Sequence, residues 1–285
     1  MKTVIALLLA LMLAAMAVPA LCEAVPASQG FLGEGETLAI DLDGNGSEES
    51  VSWTMPGTGF FDSCLTLIVR PRHGAPSIYE TNIIGDQAVY VLDLDGDGVV
   101  ELLLTGDVMS SDYYTTCLHY NNRALYEVLF PDTGRDQNTD GYFKTGYGRI
   151  VAIENGRLTL SGSQDVLGTW FGSRKVRLTP YDRFEFNDDG IWVRDEANPD
   201  DELWDYAALT TKVDLAYTTP EGGEATLPVG EKLLIVASDK QKTARFITRD
   251  GRTGILDISP DYKGWSWRVN DVPEADCFEY LPYGD

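Results

Sequence analysis

Basic residues are scarce in this 285-residue chain: 22 Lys and Arg stand against 45 Asp and Glu, a net charge of −23. That balance excludes a nucleic-acid partner, because phosphate contacts need cationic side chains in excess. It also argues against docking on bare anionic lipid or an anionic wall polymer unless divalent cations bridge the two. Cations are the first partner to expect. Histidine is nearly missing, with His73 and His119 the only imidazoles. Four cysteines with no Cys/His cluster at ligand spacing give a zinc site no support. Neither a Gly-x-Ser-x-Gly elbow nor a phosphate-cradling glycine loop occurs. The paired acids Asp188-Asp189 and Asp200-Asp201 are sequence neighbours that diverge into solvent on turns. No catalytic constellation emerges, and the expectation is a protein that is not an enzyme.

Long apolar runs are lacking too, with one exception. Val4–Val18 is uninterrupted, follows the positive Lys2, and falls short of the ~20 residues that cross a bilayer. Residues 1–24 therefore read as a signal peptide cleaved after Ala24, which predicts a secreted or cell-surface product with no membrane span. Leu21, directly before Cys22, disfavours lipidation at that cysteine. Loss of Lys2 and Glu23 leaves the net charge unchanged, so the acidity belongs to the exported part. Cys64, Cys117 and Cys277 remain, too few for a disulfide scaffold; one bridge plus a free thiol and three buried thiols are both open.

Sustained helical periodicity is rare as well. Asp200–Ala208 predicts one short connecting helix with Leu203, Trp204 and Ala207 on one side. Elsewhere Gly, Asn-Gly, Asp-Gly and Pro punctuate short runs rich in Val, Ile, Leu, Thr and Tyr, the pattern of an all-β chain. Ala88–Leu92, Val99–Thr105, Thr115–Tyr120, Arg149–Ile153, Arg157–Ser161 and Lys232–Ala237 are expected strands.

What the chain does have is an internal duplication. The acidic segment Asp41–Glu49 recurs as Asp93–Glu101, offset by 52 residues, and Cys64-Leu65 is echoed by Cys117-Leu118. A period near 50 marks a repeated β-unit. Residues 143–195 are a candidate third unit without its acidic loop.

Each loop has the layout of a calcium site. Calcium takes six to eight hard oxygens, which a loop supplies from alternate side chains with carbonyls filling in. In the first loop Asp41, Asp43, Asn45, the carbonyl of Ser47 and Glu49 take these places; in the second Asp93, Asp95, Asp97, the carbonyl of Val99 and Glu101 do. Leu42 and Leu94 point away. Solvated Asp/Gly turns are the plainer alternative, but carboxylates this close repel unless a cation neutralises them. Position 12 holds Ser52 in one loop and Leu104 in the other, where a helix–loop–helix hand needs a bidentate Glu.

With its closing carboxylate entering a strand, the loop resembles those of FG-GAP and VCBS repeats, the units of integrin-type propellers, over roughly Leu38–Val69 and Val89–Tyr120. The resemblance implies calcium-stabilised β-structure used in adhesion or recognition, without catalysis in the loop. It gives residues 25–205 as a repeat domain, and about 180 residues are too few for a propeller of six or seven blades, so a partial array is expected.

Residues 206–285 form a second unit in this reading, with the boundary in Asp195–Glu202. Leu209–Ser259 is similar to bacterial Src-homology-3-type barrels, with the Asp250-Gly251 hairpin as its clearest signal. Ala244 and Ile255 stand where that family usually has Trp, so its ligand groove has little support. Trp265 and Trp267 alternate on a strand and read either as a sugar platform or as core, the second favoured by how readily large aromatics bury. The function these readings imply is calcium-dependent recognition or adhesion, with a wall or surface glycan or a protein as ligand. A secreted hydrolase of carbohydrate or wall polymer is the runner-up, and a structural accessory domain the third.

Overall fold

In a computed structural model the chain is described over residues 30–55, 64–109, 112–131, 142–187, 190–194, 201–261 and 266–281. The expected leader, Asp188-Asp189, Asp200 and Trp265 lie outside the described residues. The protein is all-β: the ladders between strands are antiparallel, two short helices interrupt them among the described residues, and no sheet closes on itself. None of these helices is long and apolar enough to cross a membrane.

After the short strand β1 (Phe31–Leu32), the strands β2 (Thr37–Ile40), β3 (Glu49–Thr54), β4 (Leu65–Arg70) and β5 (Ser77–Thr81) run as a four-stranded meander. A second meander repeats it with β6 (Gly85–Leu92), β7 (Glu101–Met109), β8 (Asp112–Tyr120) and β9 (Leu125–Val128), and β1 pairs with the free edge of β6. A two-stranded ladder of β10 (Phe130–Pro131) and β11 (Tyr142–Phe143) follows, and β12 (Thr145–Tyr147) pairs with β8. Then β13 (Arg149–Glu154), β14 (Arg157–Val166), β15 (Thr169–Thr179) and β16 (Arg183–Phe186) form a third meander. It lies within residues 143–195, where a third unit without an acidic loop is expected. Its first hairpin turns on Asn155-Gly156, both at positive φ (45° and 77°), the tight turn that Asn-Gly favours.

The middle sheet is buried on both faces, which explains the unbroken run Leu102-Leu103-Leu104. Leu102 and Leu104 join Val51, Leu67 and Val69 of the first sheet in one core, while Leu103 points oppositely, into a second core with Leu158, Val176 and Phe184 of the third. Alternation along the strand makes each leucine serve one interface. A buried hydroxyl pair, Thr105 and Thr115, adds a polar tie: the amide of Ile150 donates to Thr105 and Thr115 donates to the carbonyl of Gly148.

The ladders correct the equivalence of the cysteines. Val51 pairs with Val69 and Leu103 with Cys117, so Cys117 corresponds to Val69, whereas Cys64 precedes β4. The connection after β7 is much shorter than that after β3, so equal spacing along the chain slips out of register. No bridge forms: all three thiols are free, Cys117 and Cys277 buried and Cys64 half-buried.

Toward the carboxy terminus, β17 (Trp192–Val193) is followed by the helix α1 (Asp201–Tyr206), which puts Trp204 and the adjacent Ala207 against Leu234. The strands β18 (Leu209–Thr210), β19 (Leu215–Thr218), β20 (Glu224–Leu227), β21 (Lys232–Ser238), β22 (Thr243–Thr248) and β23 (Thr253–Asp261) follow, then β24 (Ser266–Val269), β25 (Val272–Pro273) and the helix α2 (Glu274–Cys277). β18 pairs with β21 and β19 with β23, so one short segment borders both sides of the β21–β22–β23 meander and curls it around a core. The expected boundary falls between β17 and α1, and both a ladder and a core run across it. β17 pairs with β21, and Tyr147, Val166, Leu167 and Trp192 share a core with Leu233, Phe246 and Trp267. Trp267 is buried there, which removes it from any sugar platform.

Candidate metal centre

Both acidic loops join the first two strands of a meander in the same register. Ile40 pairs with Glu49 across the first and Leu92 with Glu101 across the second. Five internal hydrogen bonds recur position by position, and the second loop adds one from the Gly96 amide to Asp93 at 2.7 Å. The Asp41 carboxylate accepts from the amides of Asn45 (3.1 Å) and Gly46 (2.6 Å), and Asp93 accepts from Asp97 (3.1 Å) and Gly98 (3.0 Å). Asp43 accepts from Asn45 as Asp95 does from Asp97, each at 3.3 Å. The Asn45 carbonyl oxygen accepts from Ser47 and the Asp97 carboxylate from Val99, each at 2.8 Å. Finally the closing acids accept from the amides of the inward leucines, Glu49 from Leu42 at 3.1 Å and Glu101 from Leu94 at 2.5 Å. This winding brings one carboxylate oxygen each from Asp41, Asp43 and Glu49 within 4.8 Å of one another, and does the same for Asp93, Asp95 and Glu101.

Asp97 stands outside that second trio and accepts from the Val99 amide, as the Asn45 side chain accepts from Ser47; neither Asn45 nor the carbonyls of Ser47 and Val99 are among the acids brought together.

The two loops lie side by side. The Val100 amide donates to the Leu42 carbonyl at 2.9 Å, and a Cβ on Gly44, whose φ is +69°, would meet the Gly98 carbonyl at 3.1 Å. The Asn155-Gly156 turn of the third meander sits next in line, with Gly156 facing the Leu94 carbonyl and Asp95.

Burial makes these acids costly as bare anions. Glu49 and Glu101 are only 2% and 1% exposed. Desolvation, then the charges of Asp43 and Asp41, raise the Glu49 carboxyl above its ordinary range; desolvation, then Asp97, raises Asp95. Glu101 is also raised by desolvation, partly offset by His119 and the Leu94 amide. A hard divalent cation fits this donor set, since all of it is oxygen and, among the described residues, no cationic side chain pairs with the acids of the first loop.

His119 is the residue that sequence reasoning missed. Its Nε2 lies 2.7 Å from Glu101 Oε1, and its Nδ1 lies 3.3 Å from both the Tyr126 hydroxyl and Asp182 Oδ1. Burial pulls its pKa down, but the Glu101 hydrogen bond and the charges of Glu101 and Asp182 carry it above the ordinary histidine value. Cys117, two residues before His119 on the same strand, is buried, and burial with the nearby acids pushes its thiol far up, leaving it inert. His73 is exposed in its loop.

These shifts fix a pH dependence for the chain in chelator. A group whose folded pKa is raised contributes stability that is present below its unfolded pKa and is lost as pH rises through the folded value. Glu49, Asp95 and Glu101, raised above the ordinary carboxylate range, and His119, raised above the ordinary histidine value, act with the same sign. The expected result is a melting temperature that falls between pH 5 and pH 8 in chelator, with a much flatter profile at saturating cation. A chelator profile that rises over this range would contradict the assignment.

Comparison with protein-family models, with curated proteins and with solved structures finds no match for the chain.

Proposed function

We propose that this is an exported calcium-binding recognition or adhesion protein, non-catalytic, in which blade-like repeats of the FG-GAP/VCBS type precede a Src-homology-3-like barrel. The observation that carries the reading is the duplicated loop, whose hydrogen bonds recur at an offset of 52 residues and turn three oxygens inward in each copy. Supporting the blade reading are three consecutive four-stranded meanders stacked face to face, with their first hairpins in a line. Support for the barrel comes from β18 and β19 flanking the curled meander on both sides. The ions rigidify the loop edge of the stack, which then presents a fixed surface to a glycan or protein. A net charge of −23 disfavours anionic ligands unless calcium bridges them.

The test is retention of the full chain on immobilised cell-wall and surface glycans, in calcium and in chelator, with the supernatant assayed for released sugar or peptide. Calcium-dependent retention without product supports recognition. Product release that a single acidic substitution abolishes would make the protein a hydrolase instead.

A further inference from the structure

We infer that Tyr120, reaching across from the second sheet, is the positioning residue of the first loop, its hydroxyl donating to the Glu49 carboxylate when that loop closes on its cation. The inference rests on reading the loops as calcium sites. It begins from an asymmetry between them. In the second loop Glu101 uses Oε2 for the Leu94 amide and Oε1 for His119, so both oxygens are fixed. In the first, Glu49 accepts from Leu42 through Oε2, and no side-chain donor among the described residues holds the other oxygen. The ladder explains the difference. Two residues beyond the Leu103–Cys117 pair stands His119, and two beyond the Val51–Val69 pair stands Pro71, which has no donor to offer.

Tyr120 is the next residue after His119 on β8, so it points to the opposite face, toward the first sheet. It is 2% exposed and packs in the core that contains Leu42, the residue between Asp41 and Asp43. Its hydroxyl is buried and has no hydrogen-bond partner among the described residues, which is costly for a donor. Burial, then the charges of Glu49 and Asp43, raise its pKa, in keeping with a hydroxyl on the side of the first loop. Consecutive residues of one strand thus serve the two loops, His119 the second and Tyr120 the first.

The experiment is calorimetric titration of the full chain with calcium alone, for the unaltered protein and Tyr120→Phe, each also in a D93N/D95N background where the first loop is the remaining site. Tyr120→Phe is expected to weaken the first site by about tenfold, the size of one hydrogen bond to a charged group, while the second site, measured in a D41N/D43N background, is unchanged. In chelator the melting temperature of Tyr120→Phe should equal or exceed that of the unaltered chain, because only an unpaired hydroxyl is removed. Tyr120→Leu, which also removes the ring, should melt lower in both conditions. Identical first-site affinities, or equal losses of melting temperature for Tyr120→Phe in chelator and calcium, would overturn the inference and leave the calcium reading standing. An unaltered chain that binds no calcium would overturn both.

Discussion

Transfer from 1 mM calcium to chelator is expected to lower the melting temperature by about 6–11 °C. If each loop binds in the range of extracellular modules, at a Kd of about 0.1 mM, then 1 mM calcium stabilises the folded chain by about 1.4 kcal/mol per site. For a protein of this size about 1 kcal/mol corresponds to 2–4 °C, and two sites give the stated range. The sign follows from the buried acids: without a cation, Glu49 and Glu101 are desolvated and Asp95 faces Asp97 and Asp93. Calcium removes that cost in the folded state alone, because the unfolded chain does not hold the three oxygens together. Scanning calorimetry in calcium, magnesium and chelator measures it. Magnesium, which demands a stricter octahedron and parts reluctantly with water, should restore less. Superimposable scans in calcium and chelator would remove the loops from consideration as metal sites.

The parts of this molecule legible in its sequence are those set by neighbours along the chain. Loop ligands alternate within nine residues, so Asp41 to Glu49 and Asp93 to Glu101 could be picked out by position, and the strands around them by apolar runs. His119 and Tyr120 were not legible as site residues, because each acts through a ladder or a sheet-to-sheet contact. His119 reaches Glu101 across the β7–β8 pair, and Tyr120 shares a core with Leu42, which lies far earlier in the chain. The cysteine match failed for the same reason: a shorter β7–β8 connection shifted Cys117 onto the place of Val69. The third meander shows in the sequence only as a candidate unit, since Asn155-Gly156 closes its hairpin without the acidic signature. Similarly, the boundary read in Asp195–Glu202 follows composition along the chain, while β17 and Trp192 carry sheet and core across it.

The strongest single substitution should be Glu101→Ala, and its comparison with Glu49→Ala tests whether the two loops are supported differently. Glu101 is held by the Leu94 amide and by His119, both buried. Truncation strands the imidazole beside Asp182 and leaves the amide unpaired, the kind of change that costs about 3–5 kcal/mol when a buried pair loses one partner. Glu49→Ala leaves the Leu42 amide unpaired but strands no charged side chain, so about 1–3 kcal/mol is expected. Measured in chelator, where no cation contributes, Glu101→Ala should therefore melt lower than Glu49→Ala by several degrees. Glu101→Gln separates structure from binding. Its amide oxygen can still accept from Leu94, so the chelator melt should stay closer to that of the unaltered chain, while the lost charge should remove most of the calcium-dependent rise from the second loop. Equal chelator melts for the two alanine variants would show that His119 gives Glu101 no support beyond what Glu49 has.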